Sequence, residues 1–408
     1  MHLPNLPNLT LESAFDRSDF GIYIHVPFCM RRCRYCAFVS STPRSIPEQA
    51  YAQAVMNEFD LRYPNYADLN LKTLYFGGGT PTMLSDAAIG KIVETIANRC
   101  DTPDEITLEA NPEHITQQRC ENWRSIGFTR ISLGIQSFNT QMLQFLGRRH
   151  DRAQALAAID LLHAAGFEEI SIDLIYGGLI SDDRSDAQAL ASWRHDLETA
   201  GSCAAAHVSC YELTLEPHTP LWTRQKRGQK VLCDESTIAE MMTMIPQILC
   251  MTRYEISNYS RDDYYSAHNL SCWAGLSYLG LGAAAHSLFA SQKRFMRKAN
   301  TANIKDYVSS LNAVHPTLPD PEFTEDLSPQ THLAERLMCA ARTRIPFNPC
   351  AIASQIGAGI LPYLDGLEKA MASGLIERQR NGGMRTTERG ILLNNRLDAL
   401  IFEGCPDN

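Results

Sequence analysis

The chain has 408 residues, 44% of them hydrophobic and 20% charged, enough to bury a large core in a main domain with a smaller companion. A formal charge of −9 argues against nonspecific nucleic-acid binding, which needs Lys and Arg to neutralise phosphates. The thirteen cysteines are odd in number and irregularly scattered, and the opening MHLPNLPNLTLESAFDR has neither a basic nor an apolar stretch. Reduced thiols and a cytoplasmic location are therefore expected, and no run is long enough to span a bilayer.

In chain order, residues 1–20, with two Pro-Asn pairs, read as a loose arm. The β-branched and aromatic run Ile22 to Val26 predicts a first strand, which leads directly into a loop holding Cys29, Cys33 and Cys36 as C-x3-C-x2-C. A helix follows over 45–62, with Ser45 as its cap and Glu48 three residues on. A strand over 73–76 then runs into Gly77-Gly78-Gly79-Thr80-Pro81. After it come a helix over 86–98, a strand in ITLEANP, a polar helix over 116–125 and a strand in RISLGIQSF. The next helix, 152–165, is closed by Gly166; then follow EISIDLIYG, a helix over 187–199, and AAHVSCYELT.

Six short strands alternating with helices or loops predict parallel βα units. Cys29, Gly78, Glu109, Gln136 and Asp173 all fall at or just past strand C-terminal ends. Functional residues gather there in barrels and open sheets alike, so periodicity alone leaves a doubly wound sheet open.

Soft thiolates hold iron–sulfur clusters, usually four to a [4Fe–4S] cube, so three close thiolates would leave one iron open to an exchangeable ligand. The next cysteine, Cys100, is far outside the loop. A structural zinc closed by His25 is the alternative, but His25 lies on the predicted strand and is expected to point into a barrel. Arg31, Arg32 and Arg34 read as a solvated rim.

The string YIHVPFC with its C-x3-C-x2-C-x-F array resembles the radical S-adenosylmethionine (SAM) superfamily, in the group of oxygen-independent coproporphyrinogen III oxidase and the heme chaperone HemW, and is most similar to HemW. The resemblance implies an open six-unit (βα)6 partial TIM barrel with a small C-terminal winged-helix-like domain. It also implies a [4Fe–4S] cluster on Cys29, Cys33 and Cys36, with SAM on the open iron. One electron from the cluster would then split SAM into methionine and a 5′-deoxyadenosyl radical. By the same resemblance Gly78, Gly79 and Thr80 meet the SAM amino group through backbone atoms, and Tyr23 stands near the sulfonium. Glu109 would accept from the ribose or an ammonium, Arg148 would pair with the methionine carboxylate, and Asp173 would hold the ribose, with Gln136 beside them. No catalytic side chain beyond the cluster ligands is assigned.

A second stretch, YEISNYSRDDYYSAHNLSCWAGLSYLGLGAAAHS (254–287), resembles the HemW pattern HNxxYW followed by a Gly-rich AHS segment. The resemblance makes His268 the candidate axial heme ligand, while Cys272 stands where Tyr is usual and Ala283-Ala284 replace Pro-Gly. The DLIYGLP of the family is here DLIYGGLISDD. From about Glu322 the composition changes: helices are expected over 333–342, 351–356 and 362–373, the last ending at Gly374. LIERQRNGGMRTTERGILLNN then reads as strand–turn–strand, with Asn381-Gly382-Gly383 turning.

The divisions expected are an arm (1–20), the barrel (21–250), the HNxxCW segment and connection (251–321) and the C-terminal domain (322–408). For that last domain the acidic balance favours a lid or docking role over DNA. The leading function is binding of cluster, SAM and heme for delivery to a client protein, with an electron donor as second partner. Peripheral association with membrane proteins and a monomeric or dimeric state are compatible with it. The alternatives are oxidative decarboxylation of porphyrinogen propionates, a C-methyltransferase and an anaerobic heme-degrading enzyme.

Overall fold

The structure, a computed structural model, describes residues 10–180, 185–291, 294–380 and 382–403. Six strands run parallel, each paired with the next: β1 (Asp19–Val26), β2 (Asn70–Gly78), β3 (Glu105–Ala110), β4 (Arg130–Gln136), β5 (Glu169–Tyr176) and β6 (His207–Glu212). The crossovers carry α1 (Glu48–Arg62), α2 (Asp86–Ala97), α3 (Gln117–Ile126), the pair α4 (Thr140–Leu146) and α5 (Arg152–Ala164), and α6 (Asp186–Ser202).

Among the described residues β1 and β6 do not pair with each other, so the barrel stays open, and both edges are extended instead. Beyond β6, after α7 (Pro220–Lys226) and α8 (Glu235–Leu249), lie antiparallel β7 (Thr252–Arg253) and β8 (Asn258–Ser260). On the other edge, after α9 (Ala267–Trp273), β9 (Ser277–Leu281) pairs parallel with β1. Antiparallel β10 (His286–Ala290) and β11 (Phe295–Ala299) follow, then α10 (Ile304–Leu311) and β12 (Phe323–Leu327). The stretch 251–321 thus adds β7 to β11 to the two edges of the sheet, with α9 and α10 between or after them.

Alternation along the strands sorts the residues. Ile22, Ile24, Val26, Leu74, Phe76, Leu108, Ile131, Leu133, Ile172 and Val208 face the helices and share one core with Val55, Phe59, Ile89, Ile92, Ile159 and Leu162. The opposite face is polar, with Tyr75, Glu109, Ser132, Asp173 and Ser209 directed inward.

At the N-terminal ends of the strands this polar interior is closed by charge. The Arg130 guanidinium lies 2.9 Å from Glu105 and 2.7 Å from Glu169 and donates to the Tyr264 and Tyr265 carbonyls. Glu105 in turn accepts from the backbone N–H groups of Ala267 (2.9 Å) and His268 (3.0 Å), the first residues of α9. Burial alone would raise the Glu105 carboxyl, but Arg130 and these two donors hold it below its usual range. Helix α9 is thereby fixed as a plug in the barrel floor.

Several expectations are corrected. Helix α1 starts at Glu48, not Ser45, because Pro47 at the cap position disfavours helical geometry at Ile46; Glu48 accepts instead from Ser85 N, 2.9 Å away. The described part of the arm packs on the fold: Leu11 N donates to Pro346 O (2.7 Å) and Leu11 is buried in the C-terminal core.

That C-terminal core is built from α11 (Pro329–Ala341), α12 (Pro349–Ile356), α13 (Leu361–Ala372), a ribbon of β13 (Ile376–Arg378) and β14 (Met384–Thr386), α14 (Glu388–Leu392) and α15 (Asn394–Ile401). The stretch ERGILLNN, read as a strand, is helical because the Thr387 hydroxyl caps it by accepting from Gly390 N. Asn381 of the expected turn and residues 181–183 of the GGLISDD loop lie outside the described residues. Among the described residues no helix is long and apolar enough to cross a membrane.

Replacing Arg130 with Met is expected to cost about 3–5 kcal/mol by stranding the buried Glu105 carboxylate and leaving the part-exposed Glu169 without its cation. A urea midpoint that falls accordingly, with the slope unchanged, checks this. The triple change with Glu105→Gln and Glu169→Gln should recover most of the loss.

Candidate cofactor site

The cysteine loop is a closed excursion from β1. Its base is tied by Cys29 N to Ser41 O (2.9 Å) and Ser41 N to Pro27 O (2.7 Å), and its middle by Arg34 N to Leu146 O (3.0 Å). Beside it β2 ends in the glycine run, where Gly79 N donates to Val26 O at 2.9 Å. A Cβ on Gly79 would lie 2.8 Å from Phe28 O and 3.0 Å from Cys29 Sγ, so only glycine lets the two loops approach this closely.

Ten of the twelve residues singled out from sequence line one cavity of about 420 Å³: Cys29, Cys33, Cys36, Gly78, Gly79, Thr80, Glu109, Gln136, Arg148 and Asp173. Thr80 Oγ1 is 3.7 Å from Cys29 Sγ, and Arg148 Nη1 is 3.5 Å from Cys33 Sγ. Arg148 also donates to Asn111 Oδ1 and Gly134 O, which leaves Nε as a buried donor without a partner. Glu109 accepts from Tyr75 Oη (2.7 Å) and Gly78 N (3.2 Å). Burial, and then the neighbouring Asp173, push Glu109 up to about 7 against the Tyr75 hydrogen bond. Asp173 is pushed up to about 6, again by burial. Gln136 is held at φ +72, uncommon for a residue other than glycine.

Tyr23 and His268 do not line this cavity. They face a second one of about 460 Å³, shared with His25, Phe38, Cys272, Tyr278, Ala284 and His286. His268 stacks on Tyr75 at 4.7 Å between centroids, and its Nδ1 is 2.8 Å from Thr73 Oγ1, which leaves Nε2 as the nitrogen free to ligate. Burial lowers His268 to about 4 and pushes the Cys272 thiol up to about 12, so at neutral pH the imidazole is uncharged and the thiol protonated.

The donor set suits a cube better than a zinc ion. His25 is engaged elsewhere, with Nε2 3.0 Å from Val39 O and Nδ1 3.1 Å from Tyr23 Oη. Among the described residues no three Cys, His, Asp or Glu side chains converge on a single-ion site. A cube takes each thiolate on a separate iron, and all three thiols border the same cavity. Two buried carboxylates and an arginine with a spare donor also match the ammonium, sulfonium, diol and carboxylate of SAM.

The Radical SAM superfamily profile matches residues 23–190. Heme chaperone HemW of Haemophilus influenzae is 34% identical over 294 residues, 70% of this chain and 71% of that protein. The chain belongs to the radical SAM superfamily, in its HemN/HemW group. HemW of Bacillus subtilis is 28% identical over 386 residues, spanning 92% of this chain and 97% of that one. The radical SAM enzyme HemN, the coproporphyrinogen III oxidase of Escherichia coli, superposes with a TM-score of 0.75 at 20% identity, covering 94% of this chain and 90% of its own, a likeness of fold. Radical SAM membership implies a [4Fe–4S] cluster and SAM.

Sequence reasoning passed over Thr73, Glu105, Asn111 and Arg130. The signal was available in the alternation: Thr73 and Tyr75, or Glu105 and Glu109, share the inward parity of their strands.

Cys33→Ala is expected to abolish both the brown cluster absorbance and 5′-deoxyadenosine formation in the anaerobically reconstituted protein. SAM affinity should rise with pH through about 6–7 and level off above. The carboxyls of Glu109 and Asp173 are neutral below that range, and only their ionised forms attract the cationic ligand. Glu109→Gln should remove the upper part of that rise and weaken SAM about tenfold or more at pH 8, read by anaerobic calorimetry.

Proposed function

We propose that this chain is a heme-binding radical SAM protein that delivers heme to a client protein. In this reading Cys29, Cys33 and Cys36 hold the [4Fe–4S] cluster, and Gly78, Gly79, Thr80, Glu109, Gln136, Arg148 and Asp173 hold SAM. Tyr23 lines the second cavity, with its ring 6.0 Å from that of Tyr75. A cluster held by these three cysteines would supply the electron for reductive cleavage of SAM. Around it the chain's own groups orient: Arg148 faces Cys33, Glu109 and Asp173 provide negative charge, and the glycine run presents bare backbone.

The observation that carries the heme assignment is the second cavity, with His268 in its wall. Thr73 sets the orientation of the ring, as outer partners do for ligating histidines, and the buried imidazole is neutral and ready to bind a metal. Cys272, which also faces the cavity, is the poorer candidate because its thiol would first have to lose a proton. Similarity to proteins named heme chaperone HemW supports the delivery role, with an electron donor and a client as partners.

The test is an anaerobic heme titration of the reconstituted protein, followed in the Soret band. One-to-one saturable binding is expected, weakened about tenfold or more by His268→Ala and to a lesser degree by Thr73→Val. Cys272→Ser should leave it unchanged. Loss with Cys272→Ser but not with His268→Ala would move the ligand to the cysteine, and no binding at all would overturn the reading.

A further inference from the structure

Away from both cavities, a small pocket lies where the arm, the end of α9, β10 and the C-terminal helices meet. It is lined by Arg17, Gly275, His332, Arg336 and Gln355, among others. Arg336 is only 9% exposed, yet it makes no hydrogen bond or ion pair among the described residues, and its Nε is a buried donor without a partner. One turn earlier on α11, His332 is 2% exposed, with Nδ1 likewise buried and unpartnered. A buried guanidinium without a hydrogen-bond partner is costly, and native structures rarely leave one so.

Glu12 and Asp16 also line the pocket, and Glu12 acts on Arg336 through its charge, but neither carboxylate pairs with the guanidinium. Both Glu12 oxygens accept from Asn348 N at 3.2 Å, and Asp16 accepts from Ser18 N (2.9 Å) and Ser18 Oγ (2.8 Å). Arg297, the other cation near His332, is paired with Glu325 and Glu335. Arg17 donates to Gln355 O and adds a second positive charge to the pocket wall. The chain also makes room for Arg336. Gly275 stands at φ +66, and a Cβ there would lie 2.0 Å from Arg336 Cδ, so any side chain would push the arginine out of the pocket.

We propose that this pocket binds one small inorganic monovalent anion, of chloride or nitrate size, between Arg336, His332 and Arg17. The ligand class follows from charge and room. The lining carries two guanidiniums and a ring nitrogen beside the Glu12 and Asp16 carboxylates, which are hydrogen-bonded to Asn348 and Ser18, so the donors left over are Arg336 Nε and His332 Nδ1. A cavity of about 30 Å³ holds an ion the size of one or two waters but no larger organic acid. Burial lowers Arg336 to about 10, which leaves it charged at neutral pH, while His332, lowered to about 4, contributes a neutral ring N–H. The bound anion would tie the arm and α11 to the C-terminal end of α9. The site is independent of the heme and SAM assignments.

The test uses the full chain. Its thermal midpoint is measured in sodium chloride, sodium nitrate and sodium gluconate at one ionic strength. Chloride and nitrate are expected to raise the midpoint by several degrees along a saturable curve, with gluconate, too large for the pocket, giving no such rise. Arg336→Met should remove the difference between the salts. A crystal soaked in bromide should show an anomalous peak beside the Arg336 guanidinium, a readout that needs no variant. Equal curves in chloride and gluconate, an anion response that survives Arg336→Met, or no bromide at Arg336 would each overturn the proposal.

Discussion

An open barrel with a polar interior has to dispose of buried charge, and the Arg130 guanidinium between Glu105 and Glu169 is where this one does so. The pairing neutralises the floor and leaves the Glu105 oxygens to receive the first N–H groups of α9. The roof is handled in the opposite way. Glu109 feels the charge of Asp173, and Asp173 that of Arg148, but among the described residues neither carboxylate forms an ion pair, and burial raises both. One end of the barrel is therefore electrostatically closed, while the other gains when a cation arrives. That asymmetry places structural charge at the strands' beginnings and ligand-seeking charge near their ends.

The cysteine loop has two faces. Ala37 and Phe38 border both the cavity of the thiols and the cavity of His268, so a single turn of chain separates them. Phe38 is 67% exposed, a large apolar ring held at the rim with little covering it. Across the second cavity, Ala284 sits at φ +62, a geometry that suits glycine, and is held there as its N–H donates to Thr301 O at 2.9 Å. The departure from the family's Pro-Gly thus keeps the turn and accepts the strain.

Much of the barrel was legible because its signals are local. Apolar strand runs, capped helices and polar residues at strand ends can be read from short windows, and the cysteine spacing after a strand resembles the radical SAM loop. The sheet edges were not legible. Ser277–Leu281 is five residues long and takes its place only by pairing with β1, more than 250 residues earlier in the chain, which no window can see. Helix α9 is similarly short, and its location depends on Glu105 and Arg130, which in sequence are two charged residues among many. His268 could be picked out by resemblance, but its partner Thr73 lies on another element altogether. Near the C-terminus an apparent strand is a helix from Glu388, with the Thr387 hydroxyl as its cap.

The central place of β1 carries a consequence for the chain's synthesis. This first strand is flanked on one side by β2, made soon after it, and on the other by β9, which ends at Leu281. While the ribosome works through the residues between, one edge of β1 and the neighbouring cysteine loop have no partner strand beside them. The nascent barrel must carry an unpaired, apolar-sided strand through most of its elongation. Closure of that edge is therefore a late event, which waits until Ser277–Leu281 has been made.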